Sequence, residues 1–221
     1  MEAFDSLSIK VIEADDCKIW TEKVHQQRVY WTSRHQSLPF FTLGLAAYLD
    51  ASSAERRTEG TAPYNNLRLR SWNNNLLKKN FASLLDRCLD AMEDLTKLHA
   101  QFDCEHTALP GFHIHLPHSL FAGKVASKHI DLQFKRVFPR VQFSDKDVMT
   151  FTVPLSLPEG AGLKVWQGST ESLHRYELGT MLVHSGLQPH QAILFPSGGN
   201  TPRVMLQGHG VRINNQWLLY W

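Results

Sequence analysis

The tripeptide His129-Ile130-Asp131 places two potential metal ligands two residues apart. Side chains alternate between the two faces of a β-strand, so an imidazole and a carboxylate at this spacing project the same way and could close on one metal ion. Gln133 would share that face, whereas Ile130 and the apolar residues that alternate with it would pack on the other. We therefore expect residues 129–136 to form a strand whose polar face lines a cavity.

Two residues further along the chain could complete such a site, His190 and Arg203. Two histidines and one carboxylate on adjacent strands form a facial triad that leaves three positions open on iron(II). An arginine about a dozen residues beyond the second histidine, on the next strand, can bind the distal carboxylate of a 2-oxo acid as a planar fork. His184 and His209 are alternative second histidines, but only His190 lies about a dozen residues before Arg203.

This order of residues resembles that of the iron(II)- and 2-oxoglutarate-dependent dioxygenases, which carry HxD, a distal histidine and an arginine on a double-stranded β-helix. The resemblance covers about residues 111–221. It implies that His129, Asp131 and His190 are the catalytic iron ligands and that Arg203 anchors the cosubstrate 2-oxoglutarate.

The activity that the resemblance implies is oxidative decarboxylation of 2-oxoglutarate to succinate and carbon dioxide, with dioxygen as the oxidant. This reaction is coupled to oxidation of a C–H bond, with hydroxylation as the default outcome and desaturation or ring closure as others. The substrate would be a small molecule such as an amino acid, a peptide or a biosynthetic intermediate, although a protein substrate stays open. Asp131 argues against a halogenase, in which a small residue replaces the carboxylate.

Two other functions fit the same residues. A jelly-roll metal enzyme of the cupin type would use histidine-rich ligands without 2-oxoglutarate, and a non-catalytic ligand-binding β-sandwich would use the histidines for structure alone. Architecture does not separate these functions, because function depends on the site and not on the fold. Loss of 2-oxoglutarate turnover in Arg203→Ala with metal still bound would exclude the cupin type, and failure of the protein to bind iron(II) would favour the binding module.

Further polar residues could face the same cavity. His113 and His115 would share a strand face, and we favour pocket lining over a second metal site because no carboxylate accompanies them at ligand spacing. Packing or solvent exposure would explain a further set equally well, so no role is assigned to Thr150, Thr152, Lys164 and Trp166.

Length and composition limit the class of protein. The chain has 221 residues, 43% hydrophobic and 20% charged, which predicts one globular domain with an N-terminal α/β support region (1–110) and a catalytic core (111–221). A net charge of +2 without a basic stripe argues against nucleic-acid binding. The three cysteines show no CxxC spacing, residues 1–5 lack a basic signal-peptide start, and no apolar stretch could span a membrane. We therefore expect a cytoplasmic protein, and the sequence does not predict its oligomeric state.

The expected fold is mainly β with supporting helices: a cupin-like double-stranded β-helix, or jelly roll, with a long N-terminal support helix. Regular apolar spacing predicts that helix over residues 74–102, and a short buried helix is expected at 39–49. Residues 51–64 should be an exposed loop, a lid or a plain connection. Strands are predicted at 7–13, 28–33, 112–116, 129–136, 148–155, 163–167, 180–185, 191–196, 203–207 and 217–221.

Overall fold

The computed structural model describes residues 6–51, 62–122, 126–195 and 199–221. Its helices are α1 (Ala14–Gln26), α2 (Ala47–Asp50), α3 (Leu67–Thr96) and α4 (Phe134–Val137). Its strands are β1 (Leu7–Lys10), β2 (Thr32–Ser33), β3 (Phe40–Leu43), β4 (Ala100–Phe102), β5 (Gly111–His115), β6 (Val148–Ser156), β7 (Gly162–Gln167), β8 (Thr170–Arg175), β9 (Thr180–His184), β10 (His190–Ile193), β11 (Arg203–Ile213) and β12 (Gln216–Tyr220).

The strands form two sheets, a large one and a small one. The large sheet has the order β1-β9-β6-β11-β5-β3-β2, with β12 paired to the second half of β11 and β4 parallel to β12. The small sheet has the order β10-β7-β8, and an antiparallel bridge joins His129 to His190 at its edge. Residues of both sheets line one cavity. This arrangement confirms the expected mainly β jelly roll.

Strand alternation separates the core from the cavity. On β5, Phe112 and Ile114 enter the main hydrophobic core, whereas His113 and His115 line the cavity. The paired strands β6 and β11 alternate in the same way. Every residue of β5 is buried, although two of its five residues are histidines. The cavity therefore has a polar floor on a rigid sheet.

Helix α3 supports the opposite face of the large sheet, as the apolar spacing predicts. Phe81 packs against Phe112 of β5 with ring centroids 4.6 Å apart. The helix begins earlier than expected, where the Asn66 side chain accepts a hydrogen bond from the Leu69 amide. It also ends earlier, at Lys97 in the left-handed conformation, because the residues after it pair with β12 as strand β4.

Several N-terminal expectations are wrong. The helix predicted at residues 39–49 is strand β3 followed by the single turn α2. Pairing with β5 outweighs the local helix propensity, and Gly44, at φ +108°, ends the strand in a conformation that a helix does not allow. Half of the strand predicted at 28–33 is a 3-10 turn at Arg28–Tyr30, and only Thr32–Ser33 are extended, as the two-residue β2. Strand β1 stops at Lys10, and helix α1 after it was not predicted.

The strand predicted at residues 129–136 is also wrong beyond its first residue. His129 forms a bridge to His190, but the Asp131 amide then donates to the Gly186 carbonyl at 2.7 Å and the chain turns into α4. Ile130 and Leu132 are 42% and 40% exposed, so the expected apolar face of this strand does not exist.

Other differences lie in the second half of the chain. Strand β8 was not predicted, because its residues are mostly exposed and polar. Strand β11 continues to Ile213, beyond the predicted end at 207.

Residues 52–61 of the predicted loop 51–64, and 196–198 of the turn before Arg203, lie outside the described residues. None of the helices within the described ranges combines the length and apolar character that crossing a bilayer requires.

The residues at the end of β12 are fixed in the fold. Trp221 is fully buried, its amide donates to the Ala108 carbonyl at 2.9 Å and its carbonyl accepts from the Ala47 amide at 3.1 Å. Strands β1 to β4, from the first 110 residues, pair within the large sheet. The boundary at residue 110 stays a prediction.

Candidate active site

Three potential metal ligands meet where the small sheet ends. Paired backbone hydrogen bonds of 3.0 and 2.9 Å hold His129 beside His190. The His190 Nε2 lies 3.5 Å from one Asp131 carboxylate oxygen, and the His129 Nε2 lies 3.9 Å from the other. One ligand atom from each residue lies within 4.8 Å of the others, so the cluster could hold a metal ion. No other such cluster occurs among the residues that the structure describes.

Both histidines present the nitrogen that a metal needs. The Nδ1 of His129 lies 2.8 Å from the Ser127 carbonyl, and the Nδ1 of His190 lies 2.8 Å from the Gln188 carbonyl. A carbonyl only accepts, so each Nδ1 carries the proton and each Nε2 keeps a free lone pair. A backbone carbonyl that orients the ring in this way is a usual partner of a metal-bound histidine. The donor set therefore fits a divalent metal ion.

Asp131 is held by a chain of hydrogen bonds. The Thr150 hydroxyl donates to Asp131 Oδ2 at 2.6 Å, and Thr150 Oγ1 lies 3.0 Å from Nδ1 of His209. Thr150 has one hydroxyl proton, which it gives to the carboxylate, so His209 must donate its Nδ1–H to Thr150. Burial raises the pKa of Asp131, but His209, His190 and the Thr150 hydrogen bond outweigh it and lower that pKa below its usual value.

Gly186 leaves room for this chain. A Cβ placed on Gly186 would lie 2.7 Å from Thr150 Oγ1 and 2.9 Å from the Asp131 Cβ, closer than real Cβ atoms approach other atoms. Glycine is therefore required where the backbone passes behind the carboxylate.

Arg203 is a buried cation on the floor of the same cavity, at the start of β11 opposite His115. It is 4% exposed, and its Nε has no hydrogen-bond partner within the described ranges. None of the ion pairs between described residues includes Arg203. The guanidinium carbon lies 5.7 Å from the Tyr176 ring centroid. Burial lowers the pKa of Arg203, and the Tyr176 hydroxyl partly offsets this effect. A buried cation without an acidic partner could bind an anion.

His184 and His209 lie next to the group formed by His129, Asp131 and His190. The His184 Nδ1 is 3.1 Å from the Ser185 carbonyl, and its ring centroid is 4.7 Å from that of His190. Burial lowers the pKa of His184 to about 3 and that of His209 to about 4. The structure brings His190, and neither of these two, into the group with His129 and Asp131. The ligand roles themselves stay a prediction.

His113 and His115 line the cavity, as their strand position suggested. The Tyr48 hydroxyl lies 2.7 Å from the His113 Nε2, and Phe40 stacks on His115 with centroids 4.4 Å apart. Of the four polar residues left without a role, Thr150 and Thr152 also line the cavity. The other two do not: Lys164 pairs with Glu171, and Trp166 stacks under Lys128.

Tyr48 and Tyr176 also line the cavity, and the sequence predicted neither. Tyr48 lay inside the helix wrongly predicted at residues 39–49, and Tyr176 follows β8, which was not predicted. No local pattern marks either residue, since each reaches the cavity through pairing of distant strands.

Neither a protein-family model nor a curated protein sequence matches the chain. Solved structures match almost all of it. An N-substituted L-amino acid dioxygenase from Burkholderia ambifaria AMMD, in complex with alpha-KG, has a TM-score of 0.57 at 10% identity over 98% of this chain and 86% of that chain. An oxidoreductase of the 2OG-Fe(II) oxygenase family from Burkholderia pseudomallei has a TM-score of 0.52 at 15% identity over 96% of this chain and 86% of that chain. The chain has the 2OG-Fe(II) oxygenase fold. The fold that the sequence resemblance implied is thus confirmed.

Proposed function

We propose that the protein is a non-haem iron(II)- and 2-oxoglutarate-dependent oxygenase that hydroxylates a C–H bond of a small molecule. One observation carries this proposal: a single cavity of about 310 Å³ is lined both by the His129, Asp131 and His190 cluster and by Arg203, a buried cation that forms no ion pair with another described residue. A buried arginine is costly unless an anion binds it, so its presence in the same cavity as the metal-ligand group supports an anionic cosubstrate.

Each residue has a role in this proposal. His129, Asp131 and His190 hold iron(II), which supplies dioxygen activation as 2-oxoglutarate is converted to succinate and carbon dioxide. Arg203 binds the distal carboxylate of 2-oxoglutarate, and burial strengthens that ion pair because water does not screen it. Thr150 keeps the Asp131 carboxylate ionised and fixed in orientation.

The compartment is a further part of the proposal. Cys17, Cys88 and Cys104 are all free thiols, which supports a reducing, cytoplasmic location. The partners would be 2-oxoglutarate, dioxygen and the small substrate, without nucleic acid or membrane.

The test is an anaerobic titration of the iron(II)-loaded protein with 2-oxoglutarate, followed by the weak visible charge-transfer band of the chelate. The band should be lost in His129→Ala and in His190→Ala. Arg203→Ala should still bind iron(II) but require about a hundredfold more 2-oxoglutarate, because it removes a buried charged partner. His106→Ala is the matched control, since His106 is exposed and its Nδ1 pairs with Asp103 away from the cavity.

Two results would contradict the proposal. Iron binding without a band at any 2-oxoglutarate concentration would favour the cupin type of metal enzyme. Failure to bind iron(II) at micromolar concentration would favour a ligand-binding module in which the histidines are structural.

A further inference from the structure

One side of the cavity is apolar. Six cavity-lining residues belong to a single hydrophobic cluster and form what we call the apolar wall: Leu38, Phe40, Phe121, Ala126, Ala192 and Leu194. Phe195 stacks against Phe121 from behind, with centroids 5.4 Å apart and planes inclined by 16°. The aromatic rings of the wall are therefore packed in place and not free to turn away.

The apolar wall borders both halves of the proposed site. Ala192 lies two residues after His190, one of the three potential metal ligands, on β10. Phe40 lies flat on His115, with planes 4° apart, and His115 pairs with Arg203 across β5 and β11. A molecule on this wall would thus lie beside the groups that we expect to hold iron(II) and 2-oxoglutarate.

The polar pair next to the wall is uncharged. Tyr48 and His113 share a hydrogen bond of 2.7 Å, and Phe40 packs edge-on against His113. Burial lowers the pKa of His113 to about 3 and raises the pKa of Tyr48. Both groups are therefore neutral at pH 7, and Tyr48 offers a neutral hydrogen-bonding hydroxyl at the cavity lining.

The charges of the loaded cavity cancel. Among the lining residues that the structure describes, Asp131 and Arg203 carry the formal charges. Iron(II) and Arg203 would be balanced by Asp131 and the two carboxylates of 2-oxoglutarate. The nearby Arg34 already makes two contacts with Asp50, at 2.7 and 2.6 Å. A charged group brought against the wall would find no partner and would be expensive to bury.

We propose that the substrate presents an uncharged, planar apolar group to the apolar wall and one neutral hydrogen-bonding group to Tyr48. This inference rests on the proposed function and specifies the substrate of the same site. Drug-sized ligand pockets span about 300–1,000 Å³, and 2-oxoglutarate must share this one of about 310 Å³. The buried part is therefore about the size of one ring, and a charged end such as that of a free amino acid would have to stay outside the wall.

Three probes of equal shape separate charge from size: benzamide is neutral, benzoate is an anion and benzamidine is a cation. Each is titrated calorimetrically, without oxygen, into protein loaded with iron(II) and 2-oxoglutarate. We expect benzamide to bind at least about tenfold more tightly than either charged analogue. Tyr48→Phe should weaken benzamide binding about three- to tenfold. Tyr30→Phe, which alters an exposed tyrosine packed on Trp72, should leave it unchanged.

A charge placed in the wall tests the same idea in the opposite sense. Leu38→Glu should reverse the preference in favour of benzamidine, because the new carboxylate supplies the missing partner. Equal or tighter binding of benzoate or benzamidine to the unaltered protein, or no binding of benzamide, would overturn the inference. The 2-oxoglutarate band is recorded in the same samples, so a failed probe beside a normal band rejects the substrate class and leaves the proposed function intact.

Discussion

Replacing Thr150 by Val tests how the fold prepares Asp131 for a metal ion. Valine keeps the shape of threonine but cannot donate the 2.6 Å hydrogen bond to Asp131 Oδ2. A hydrogen bond to a charged group contributes about 1.5–3 kcal/mol, which corresponds to about a tenfold to 150-fold change in a binding constant. Loss of a side chain that orients a metal ligand typically weakens metal binding about 10- to 100-fold. We therefore expect Thr150→Val to weaken iron(II) or cobalt(II) binding by one to two orders of magnitude.

The assay is competition with a chromogenic chelator, with circular dichroism to show that the fold is intact. Thr152→Val is the matched control, because Thr152 lines the cavity on the same face of β6 without a hydrogen bond to Asp131 in the described structure. The loss should grow as pH falls, because the Thr150 hydrogen bond helps to lower the pKa of Asp131 and a proton competes better without it. Equal losses in the two variants, or unchanged affinity in Thr150→Val, would refute this account of the site.

Two further variants test the interior. Burial holds the pKa of His115 well below its usual value, so the unfolded chain, with a histidine pKa of about 6.5, binds a proton that the folded chain does not, and stability falls as pH drops below that value. The free energy of unfolding of His115→Phe, relative to that of the unaltered protein, should therefore rise by about 2 kcal/mol between pH 7.5 and pH 5. Urea unfolding of the metal-free proteins measures it, and the same pH dependence of stability in both proteins would disprove this. Gly111→Ala should lose about 3 kcal/mol, because its Cβ would overlap the Trp221 ring. Gly199→Ala, with no atom near its Cβ, should change stability little, and similar effects of both alanines would contradict the packing argument.

Strand alternation accounts for part of the predicted cavity lining. His113 and His115 line the cavity, as expected, because β5 alternates, and the same rule places Thr150 and Thr152 there, to which the sequence assigned no role. That rule is local, so one sequence contains it. Tyr48 could not be found in this way, because it depends on β3 pairing with β5, about seventy residues away along the chain.

His129 and Asp131 converge as expected, although the strand predicted to hold them is partly wrong. His129 and Asp131 were expected to converge because a strand would hold both, but only His129 makes a strand-like bridge. Two later segments hold the pair instead: His190 pairs with the backbone of His129, and the Gly186 carbonyl accepts from the Asp131 amide. The two-residue spacing correctly predicted that the two side chains converge, whereas the expected packing of Ile130 was wrong because that side chain is exposed.

The position of Arg203 links the fold to the chemistry more closely than the ligand spacing does. Val204 and Leu206, which alternate with it on β11, belong to the main hydrophobic core, so β11 cannot shift by one residue without exposing them and burying its polar residues on the wrong side. The register that buries this core therefore also holds an unpaired guanidinium in the cavity. Removing that charge with Arg203→Met should leave stability unchanged or raise it, because burying a cation that forms no ion pair among the described residues is costly, while 2-oxoglutarate binding weakens about a hundredfold. A large loss of stability in this variant would mean that Arg203 serves the fold and not an anion.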